Sequence, residues 1–392
     1  MKRIYLDHNA TTPVDPEVLE AMLPFYKESF GNASSVHEFG RTARMGVEDA
    51  REIVYKFLGT HDSQEIVFTS GGTESDNLAV KGVAHALKSK GNHIITSSIE
   101  HHAVFNPCKF LEGEGFKVTY LPVDEFGVVD LNALKDAVTD KTILVSIMMA
   151  NNEVGTIEPI EEISKIVKSK GIVFHTDAVQ GVGKIPVNVD KLGVDLLSLS
   201  GHKIYGPKGI GALYIRRGVK LTPILQGGHH ERKRRPGTEN VPGIVGLGKA
   251  VELVGKNLKK EPEKLKRLRD RLHYGIEKTI KFTKLNGHPT KRLPNTLNIS
   301  FEYLEGESIL LNLDMEGVAA STGSACTSGS LETSHVLISM HVDTAIAQGS
   351  IRFSLGKENT EEEIDYVIKV LPPIIERLRK MSPLYHGKQG VN

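Results

Sequence analysis

Short runs rich in Ile and Val alternate with amphipathic segments from the N-terminal part of the chain to about Val241. The apolar runs predict buried strands at EIVFT (65–69), HIITSS (93–98), KVTYLPV (117–123), TILVSIMMA (142–150), GIVFHTD (171–177) and VDLLSLS (194–200). The amphipathic segments predict helices at 77–91, 131–139 and 160–171. This alternation predicts an α/β fold with a largely parallel sheet covered by helices on both faces. Such sheets bind ligands beyond the carboxyl ends of their strands.

The pattern changes after Val241. A long charged helix is predicted over 256–280, then strands TLNISF (296–301) and SIRFSL (350–355), and a last helix over 360–381. We interpret this part as a second, smaller α/β domain. The predicted division is a large domain at 15–262 and a small domain made of 1–14 and 263–386, with a mobile loop at about 321–334 and a tail at 387–392.

Composition and charge exclude several classes of function. The 392 residues contain 49 Lys plus Arg against 48 Asp plus Glu, so no basic excess exists to bind nucleic acid directly. The N-terminus MKRIYLDHN lacks the apolar stretch of a secretory signal, and the longest apolar run, 143–150, is too short to cross a bilayer. We therefore expect a cytoplasmic protein without a membrane partner.

A glycine-rich turn follows the strand at 65–69. In FTSGGTESDN, Gly71, Gly72 and Thr73 lie between that strand and an amphipathic helix. Backbone N–H groups at such a turn, together with the helix dipole, can bind a phosphate. The alternative is a plain turn with Thr73 as the helix cap. No Gly-Lys-Ser/Thr follows, so a nucleoside triphosphate is not implied.

Two further strand ends present polar side chains. Asp177 directly follows an apolar strand, where a carboxylate either caps a loop or pairs with a cationic heterocycle nitrogen. Ser200, His202 and Lys203 follow the next strand, and a lysine of lowered pKa can form a Schiff base. A phosphate site, an acidic partner and such a lysine at one sheet edge together suggest pyridoxal 5′-phosphate.

One of the two cysteines lies in an unusual setting. Cys326 stands in STGSACTSGSLETSH, among small polar residues and glycines that predict a mobile loop. Such a thiol is either incidental or reaches a partner. Cys108 lies in a helix-like stretch and is interpreted as structural. Two cysteines make neither a disulfide framework nor a Cys-rich zinc site, so no resident metal is expected.

The chain resembles the cysteine desulfurases of the NifS/IscS type, class-V aminotransferases among the fold-type I pyridoxal-phosphate enzymes. The resemblance extends over nearly the whole chain. It rests on YLDHNATTP (5–13), FGNASSVHEFGR (30–41), FTSGGTESDN (68–77), IEHHAV (99–104), NNEVGT (151–156), HTDAVQ (175–180), SGHKIYGPKG (200–209), RRPGTEN (234–240), GSACTSGSLETSHVL (323–337) and GSIRFSLG (349–356).

The resemblance implies a role for each matching residue. Lys203 would bind the cofactor as a Schiff base, Asp177 would pair with its pyridinium nitrogen, and His101 would stack on its ring and move protons. The other implied cofactor contacts are Gly72, Thr73, Asn152, Gln180, Ser200, His202 and, from the neighbouring subunit of a homodimer, Thr238. Arg352 would bind the carboxylate of the substrate L-cysteine, with Asn152 and His8 nearby.

By the same resemblance Cys326 would take the substrate sulfur as a persulfide, release L-alanine, and deliver the sulfur on its loop. The implied acceptor is a scaffold protein for iron–sulfur cluster assembly or a sulfur-relay protein for tRNA thiolation. Whether Cys326 also serves as a transient ligand of a nascent cluster stays open.

Other functions remain as alternatives. A selenocysteine lyase or another fold-type I enzyme would keep Lys203 and Asp177 without needing Cys326, so Cys326→Ser distinguishes them. A non-catalytic relative acting as a binding partner would have lost the lysine or the cysteine, and both are present. The basic stretch ERKRRP allows a weak nucleic-acid interpretation, but no interleaved aromatic residues support base stacking.

Overall fold

A computed structural model describes residues 3–323 and 333–386. Cys326 and the predicted tail at 387–392 lie outside the described residues. The strands are β1 (Ile4–Tyr5), β2 (Ile66–Thr69), β3 (His93–Ser97), β4 (Lys117–Leu121), β5 (Thr142–Ser146), β6 (Val173–Asp177), β7 (Leu196–Ser200), β8 (Gly211–Ile215), β9 (Thr283–Asn286), β10 (Thr296–Phe301), β11 (Val318–Ala319) and β12 (Ser350–Ser354).

The α-helices are α1 (Pro16–Met22), α2 (Pro24–Lys27), α3 (Glu38–Leu58), α4 (Gly72–Leu87), α5 (His102–Gly113), α6 (Leu131–Ala137), α7 (Ile160–Lys168), α8 (Val189–Leu192), α9 (Val241–Asn257), α10 (Glu261–Thr279), α11 (Gly306–Met315), α12 (His335–Ser339), α13 (Thr344–Ala347), α14 (Glu361–Met381) and α15 (Pro383–His386). Short 3-10 helices lie at Ser63–Glu65, Gly201–Lys203 and Glu231–Lys233.

The main sheet is seven-stranded, with the strand order β2-β8-β7-β6-β5-β3-β4. Only β8 runs antiparallel to its neighbours, β2 and β7, while the other pairs are parallel. The predicted α/β fold with a mostly parallel sheet is thus confirmed. The six predicted strands all form, and the inner strands β3, β5, β6 and β7 are almost fully buried, whereas the edge strand β4 is mostly half-buried or exposed.

Helices cover both faces of this sheet. On β2, Val67 packs into a core with α4 and α5, whereas its neighbours Ile66 and Phe68 pack into the opposite core with α3, α7 and α9. Successive strand side chains point to opposite faces, so one short run serves both cores. A sheet covered in this way leaves its strand ends as the accessible place for a ligand.

A second, three-stranded antiparallel sheet has the order β12-β10-β9. Its core joins Ile4 and Leu6 with apolar residues of α10, α11 and α14. Those segments belong to the predicted small domain, and the exact division stays a prediction. Within that predicted domain, however, Val336 and Leu337 of α12 pack into the core of the main sheet.

The single long helix predicted over 256–280 is wrong at its start. Helix α9 ends at Asn257 and α10 begins at Glu261, with Pro262 in its first turn. Proline has no backbone N–H, so it is accommodated most readily in the first turn of a helix, as Pro262 is here. Among the described residues, no helix is long and apolar enough to cross a membrane.

Candidate active site

A cavity of about 340 Å³ lies at the carboxyl ends of β6 and β7, beside the start of α4. Its walls come from both sheets and from the N-terminal segment of the chain. The predicted site residues that line it are Gly72, Thr73, His101, Asn152, Asp177, Gln180, Ser200, His202, Lys203 and Arg352.

Lys203 is the last residue of the 3-10 helix that follows β7. Its Nζ donates hydrogen bonds to the backbone carbonyl oxygens of Asn9 and, at 2.8 Å, Ala10. The lysine therefore reaches across the cavity to the N-terminal segment, where its amine faces the ligand space.

Asp177 ends β6 at the neighbouring position of the sheet edge. Its Oδ1 accepts a hydrogen bond from the backbone N–H of Val179 at 2.9 Å. Burial raises the pKa of Asp177 to about 6, and burial together with the charge of Asp177 raises the pKa of Asp76 well above its ordinary value. A cation placed against Asp177 would lower its pKa again, so this carboxyl group suits a positively charged partner.

The start of α4 has the features of an anion site. Its first N–H groups point outward without intrahelical partners, and Gly71, with a φ of 153°, is the residue that caps it. The alternative with Thr73 as the cap is therefore wrong. A Cβ at Gly72 would lie 2.8 Å from Cγ2 of Val179, so glycine permits the close approach. Ser200 Oγ is buried here without a hydrogen-bond partner in the described structure.

Two histidines line the cavity in neutral form. His101 caps α5, and its Nδ1 accepts a hydrogen bond from the backbone N–H of Ala103 at 3.1 Å. Burial, reinforced by the charge of Lys203, lowers the pKa of both His101 and His202 to about 4. At neutral pH His101 therefore carries its proton on Nε2.

Arg352 enters the cavity wall from β12. Its Nη2 is 2.8 Å from Asp7 Oδ1, and its Nη1 donates to the backbone carbonyl of Asn152 at 3.0 Å. Its Nε is buried without a partner in the described part of the chain. The guanidinium is thus held in place while retaining N–H groups that can bind a carboxylate.

Two predicted residues lie outside this cavity. His8 is buried, its Nδ1 is 3.1 Å from the backbone oxygen of Ser354, and its ring packs against Gly356. His8 does not line this cavity, and its contact with the substrate stays a prediction. Thr238 is exposed and does not line the cavity of its own chain.

Asn9 is a residue that the sequence analysis missed. Its Nδ2 donates to the carbonyl of Asn152 at 3.1 Å and to Thr296 Oγ1 at 2.9 Å, and its own carbonyl accepts from Gln180 Nε2 at 3.0 Å and from Lys203. It therefore connects both sheets to Lys203. The only available signal was the polar turn DHNATTP, which does not reveal these contacts.

Comparisons with known proteins identify the family of this chain. The family described as aminotransferase class-V matches residues 4–367. A cysteine desulfurase IscS of Dictyoglomus turgidum is 60% identical over 384 residues, which cover 98% of this chain and 97% of that protein. Another, of Methanosarcina thermophila, is 58% identical over 98% of this chain and 94% of its own length. The chain belongs to the cysteine desulfurases of the class-V aminotransferase family.

A solved structure described as a NifS-like protein shares this fold with a TM-score of 0.91 and 45% identity, covering 96% of this chain and 100% of that one. The apo cysteine desulfurase from Thermococcus onnurineus gives a TM-score of 0.85 at 28% identity, over 96% of this chain and 95% of that one. The architecture of this cysteine desulfurase is therefore that of these relatives over 96% of the chain.

Pyridoxal 5′-phosphate is the cofactor of cysteine desulfurases, and the cavity of this one fits it. The unpartnered Ser200 Oγ and the start of α4 suit its phosphate, and Asp177 suits its ring nitrogen. The amine of Lys203 suits its aldehyde. Among the described side chains, no group of three or more His, Cys, Asp or Glu is arranged to hold a metal ion.

Glu100 of this cysteine desulfurase lies fully buried, just before the residue that caps α5. Its Oε1 accepts hydrogen bonds from Ser97 Oγ at 2.6 Å and from the backbone N–H of Met148 at 2.9 Å, while its Oε2 has no partner among the described residues. Burial raises the pKa of Glu100 from 4.5 to about 8. Between those values the folded protein binds a proton that the unfolded chain has lost, so this group makes the protein less stable as the pH rises.

We expect Glu100→Gln to stabilise the protein at about pH 8 by about 2 kcal/mol relative to the unsubstituted protein, and to have little effect at about pH 5. Urea unfolding of the cofactor-loaded protein at both pH values measures the difference. The exposed Glu125→Gln is the matched control and should show no such pH dependence. An equal effect of Glu100→Gln at both pH values would contradict the expectation.

Proposed function

We propose that this cysteine desulfurase transfers the sulfur atom of L-cysteine to the thiol of Cys326 and releases L-alanine. The observation that supports it is the convergence of Lys203, Asp177, Arg352 and the start of α4 on one cavity. A lysine, an acidic partner, an anion site and a carboxylate-binding arginine are what an amino acid and this cofactor together require.

The residues that would hold the cofactor are on separate elements. Lys203 would bind its aldehyde carbon through Nζ, Asp177 would accept a hydrogen bond from its ring nitrogen, and the start of α4 with Ser200 and His202 would bind its phosphate. The bound cofactor supplies an electron sink that stabilises negative charge on the α-carbon of an amino acid.

Arg352 would orient the substrate. Its unused N–H groups face a carboxylate in the planar arrangement that guanidinium favours, while Asp7 and the Asn152 carbonyl hold its other N–H groups. The substrate α-carbon then lies toward Lys203. With its amine free, Lys203 Nζ would be the base that takes the α-proton. His101, neutral with a proton on Nε2, can donate that proton within the cavity.

Cys326 completes the reaction in this proposal. Its thiolate attacks the substrate sulfur, and the bond between that sulfur and the β-carbon breaks. The electron pair of the broken bond stays with the β-carbon, and protonation of that carbon yields alanine. L-Cysteine and the Cys326 thiol thus become L-alanine and a Cys326 persulfide. Cys326 lies outside the described residues, so its role rests on its place in GSACTSGSLETSHVL.

We also propose a homodimer. Thr238 is exposed in the single chain and lies away from the cavity of its own chain, which suits a side chain that reaches the phosphate site of a second copy. The sulfur acceptor in this proposal is an iron–sulfur scaffold protein or a sulfur-relay protein in the cytoplasm. With a scaffold as the acceptor, Cys326 would also serve as a transient ligand of the cluster that forms there.

The test is a mass spectrum of the Cys326 peptide after the cofactor-loaded protein has met L-cysteine without reductant, with alanine measured in the same sample. We expect the peptide to gain one sulfur atom for each alanine formed in the first turnover. Alanine without sulfur on Cys326 would favour a selenocysteine lyase or another fold-type I enzyme. No alanine from a cofactor-loaded protein would contradict the proposed function.

A further inference from the structure

Lys184 is a buried lysine next to the cavity, and none of the roles above uses it. It is 8% exposed and follows β6 in the segment that contains Gln180. Its Nζ donates to Gln180 Oε1 at 3.0 Å and to the Gln180 backbone carbonyl at 3.2 Å. No carboxylate of the described chain lies within ion-pair distance of it. Buried lysines are rare and usually paired, so this one needs an explanation.

The contacts with Lys184 and with Asn9 together fix which way the Gln180 amide points. An ammonium group only donates hydrogen bonds, so the amide oxygen must face Lys184 and the amide nitrogen must face away. Gln180 Nε2 donates to the backbone carbonyl of Asn9 at 3.0 Å, and that carbonyl accepts only. Both neighbours therefore select the same orientation, and Gln180 presents its nitrogen on the cavity side.

The same contacts continue to the catalytic lysine. The Asn9 carbonyl that accepts from Gln180 Nε2 also accepts from Lys203 Nζ. Lys184, Gln180, Asn9 and Lys203 thus form one continuous hydrogen-bonded chain along the cavity wall.

We propose that Lys184 is a positioning residue: it holds the Gln180 amide with an N–H group toward the cofactor and places a buried positive charge beside Lys203. This inference rests on the proposed roles of Lys203 and Gln180 as cofactor-binding residues. A pyridoxal ring carries a hydroxyl group next to its aldehyde. A hydrogen-bond donor and a positive charge at this wall would favour the ionised, anionic form of that oxygen.

The electrostatic surroundings support the charge effect. Burial is the largest cause of a Lys184 pKa lowered to about 7; Lys203 and Arg352 lower it further, and Glu261 of α10 raises it, so the charge of Lys184 acts mainly below about pH 7. Its charge in turn lowers the pKa of His8 and of His202. Because the interaction between two charges is mutual, Lys184 must also disfavour a proton on Lys203.

The test is Lys184→Met, which keeps the length of the side chain and removes its charge and donors. Cofactor-loaded protein is titrated with acid and base while the visible absorption of the cofactor is recorded, and the cofactor dissociation constant is measured by dialysis. We expect the pH midpoint of the absorption change to rise by about one unit. We expect the dissociation constant to increase about tenfold.

Two further variants separate the effects. The exposed Lys191→Met is the matched control and should change neither quantity. Lys184→Gln retains a donor but no charge, so it should restore much of the cofactor affinity while the midpoint stays high. Replacing a buried charge with an apolar chain of similar size is often neutral for stability, so Lys184→Met should fold.

If both Lys184→Met and Lys184→Gln leave the pH midpoint of the cofactor absorption and the cofactor dissociation constant unchanged, the role of Lys184 is overturned and the proposed function is not affected. A failure of the proposed function is recognised separately: the unsubstituted protein would then show no cofactor absorption that titrates, or Lys203→Ala would leave that absorption unchanged. Either of those results would remove the basis of the inference as well.

Discussion

Lys203→Ala should lower the rate of alanine formation from L-cysteine by at least about 10³-fold. The substitution removes the amine that would bind the cofactor aldehyde and the base that would take the α-proton. The neighbouring groups cannot replace it, because burial is the largest cause of the pKa of about 4 of His101 and His202, and burial remains in the variant and keeps both weak bases. The measurement is alanine released per minute, together with the visible absorption of the bound cofactor.

The matched control for this variant is Lys208→Ala, an exposed lysine five positions further along the same turn-rich segment. It should retain full activity and the unsubstituted absorption spectrum. A Lys203→Ala protein that still forms alanine at a rate similar to the control would show that another group is the base, and the assignment of Lys203 would have to be withdrawn.

Cys326→Ser should abolish sulfur transfer while leaving the cofactor bound. A serine hydroxyl is not ionised at neutral pH and does not form a persulfide, so no group remains to accept the substrate sulfur. We expect a loss of at least about 10²-fold in alanine formation in the presence of a sulfur acceptor. Alanine and acceptor-bound sulfur, both measured over time, test this.

Cys108→Ala is the control for the second cysteine. Cys108 is fully buried on α5, and burial raises the pKa of its thiol far above neutral, so it cannot supply a thiolate. This variant should retain activity, with only a loss of stability from the small cavity. Full turnover of Cys326→Ser with L-cysteine would instead support a selenocysteine lyase or another fold-type I enzyme.

Much of the main sheet was predictable because its strands are local features. Five of the six predicted strands are short, mostly buried runs rich in Ile, Val and Leu, and such a run is recognisable without knowledge of its neighbours, whereas the edge strand β4 is only partly buried. The reversed direction of β8 was not predicted, since strand direction depends on which strands it pairs with. The break between α9 and α10 was missed although Pro262 signals it.

The site shows the same difference between local and distant relations. Asp177 and Lys203 could be placed at one sheet edge from the sequence, because residues that follow neighbouring parallel strands meet there. Their identification as cofactor residues came from the resemblance of whole motifs. The contacts of the His8 ring with Ser354 and Gly356, more than 340 positions further along the chain, could not be predicted from the sequence, and the substrate contact of His8 stays a prediction.

The order of apolar and polar residues was sufficient to predict the α/β fold. The motifs at the strand ends were sufficient to predict the family and the two candidate cofactor residues, Lys203 and Asp177. These depend on local hydrophobic periodicity and on the chemistry of single residues. Folding alone brought Asn9 to Lys203 and turned the Gln180 amide by contact with the buried Lys184. The Asn9 contacts join segments far apart in the chain, and the amide orientation depends on which donors and acceptors folding leaves as neighbours, so no pattern along the sequence encodes them.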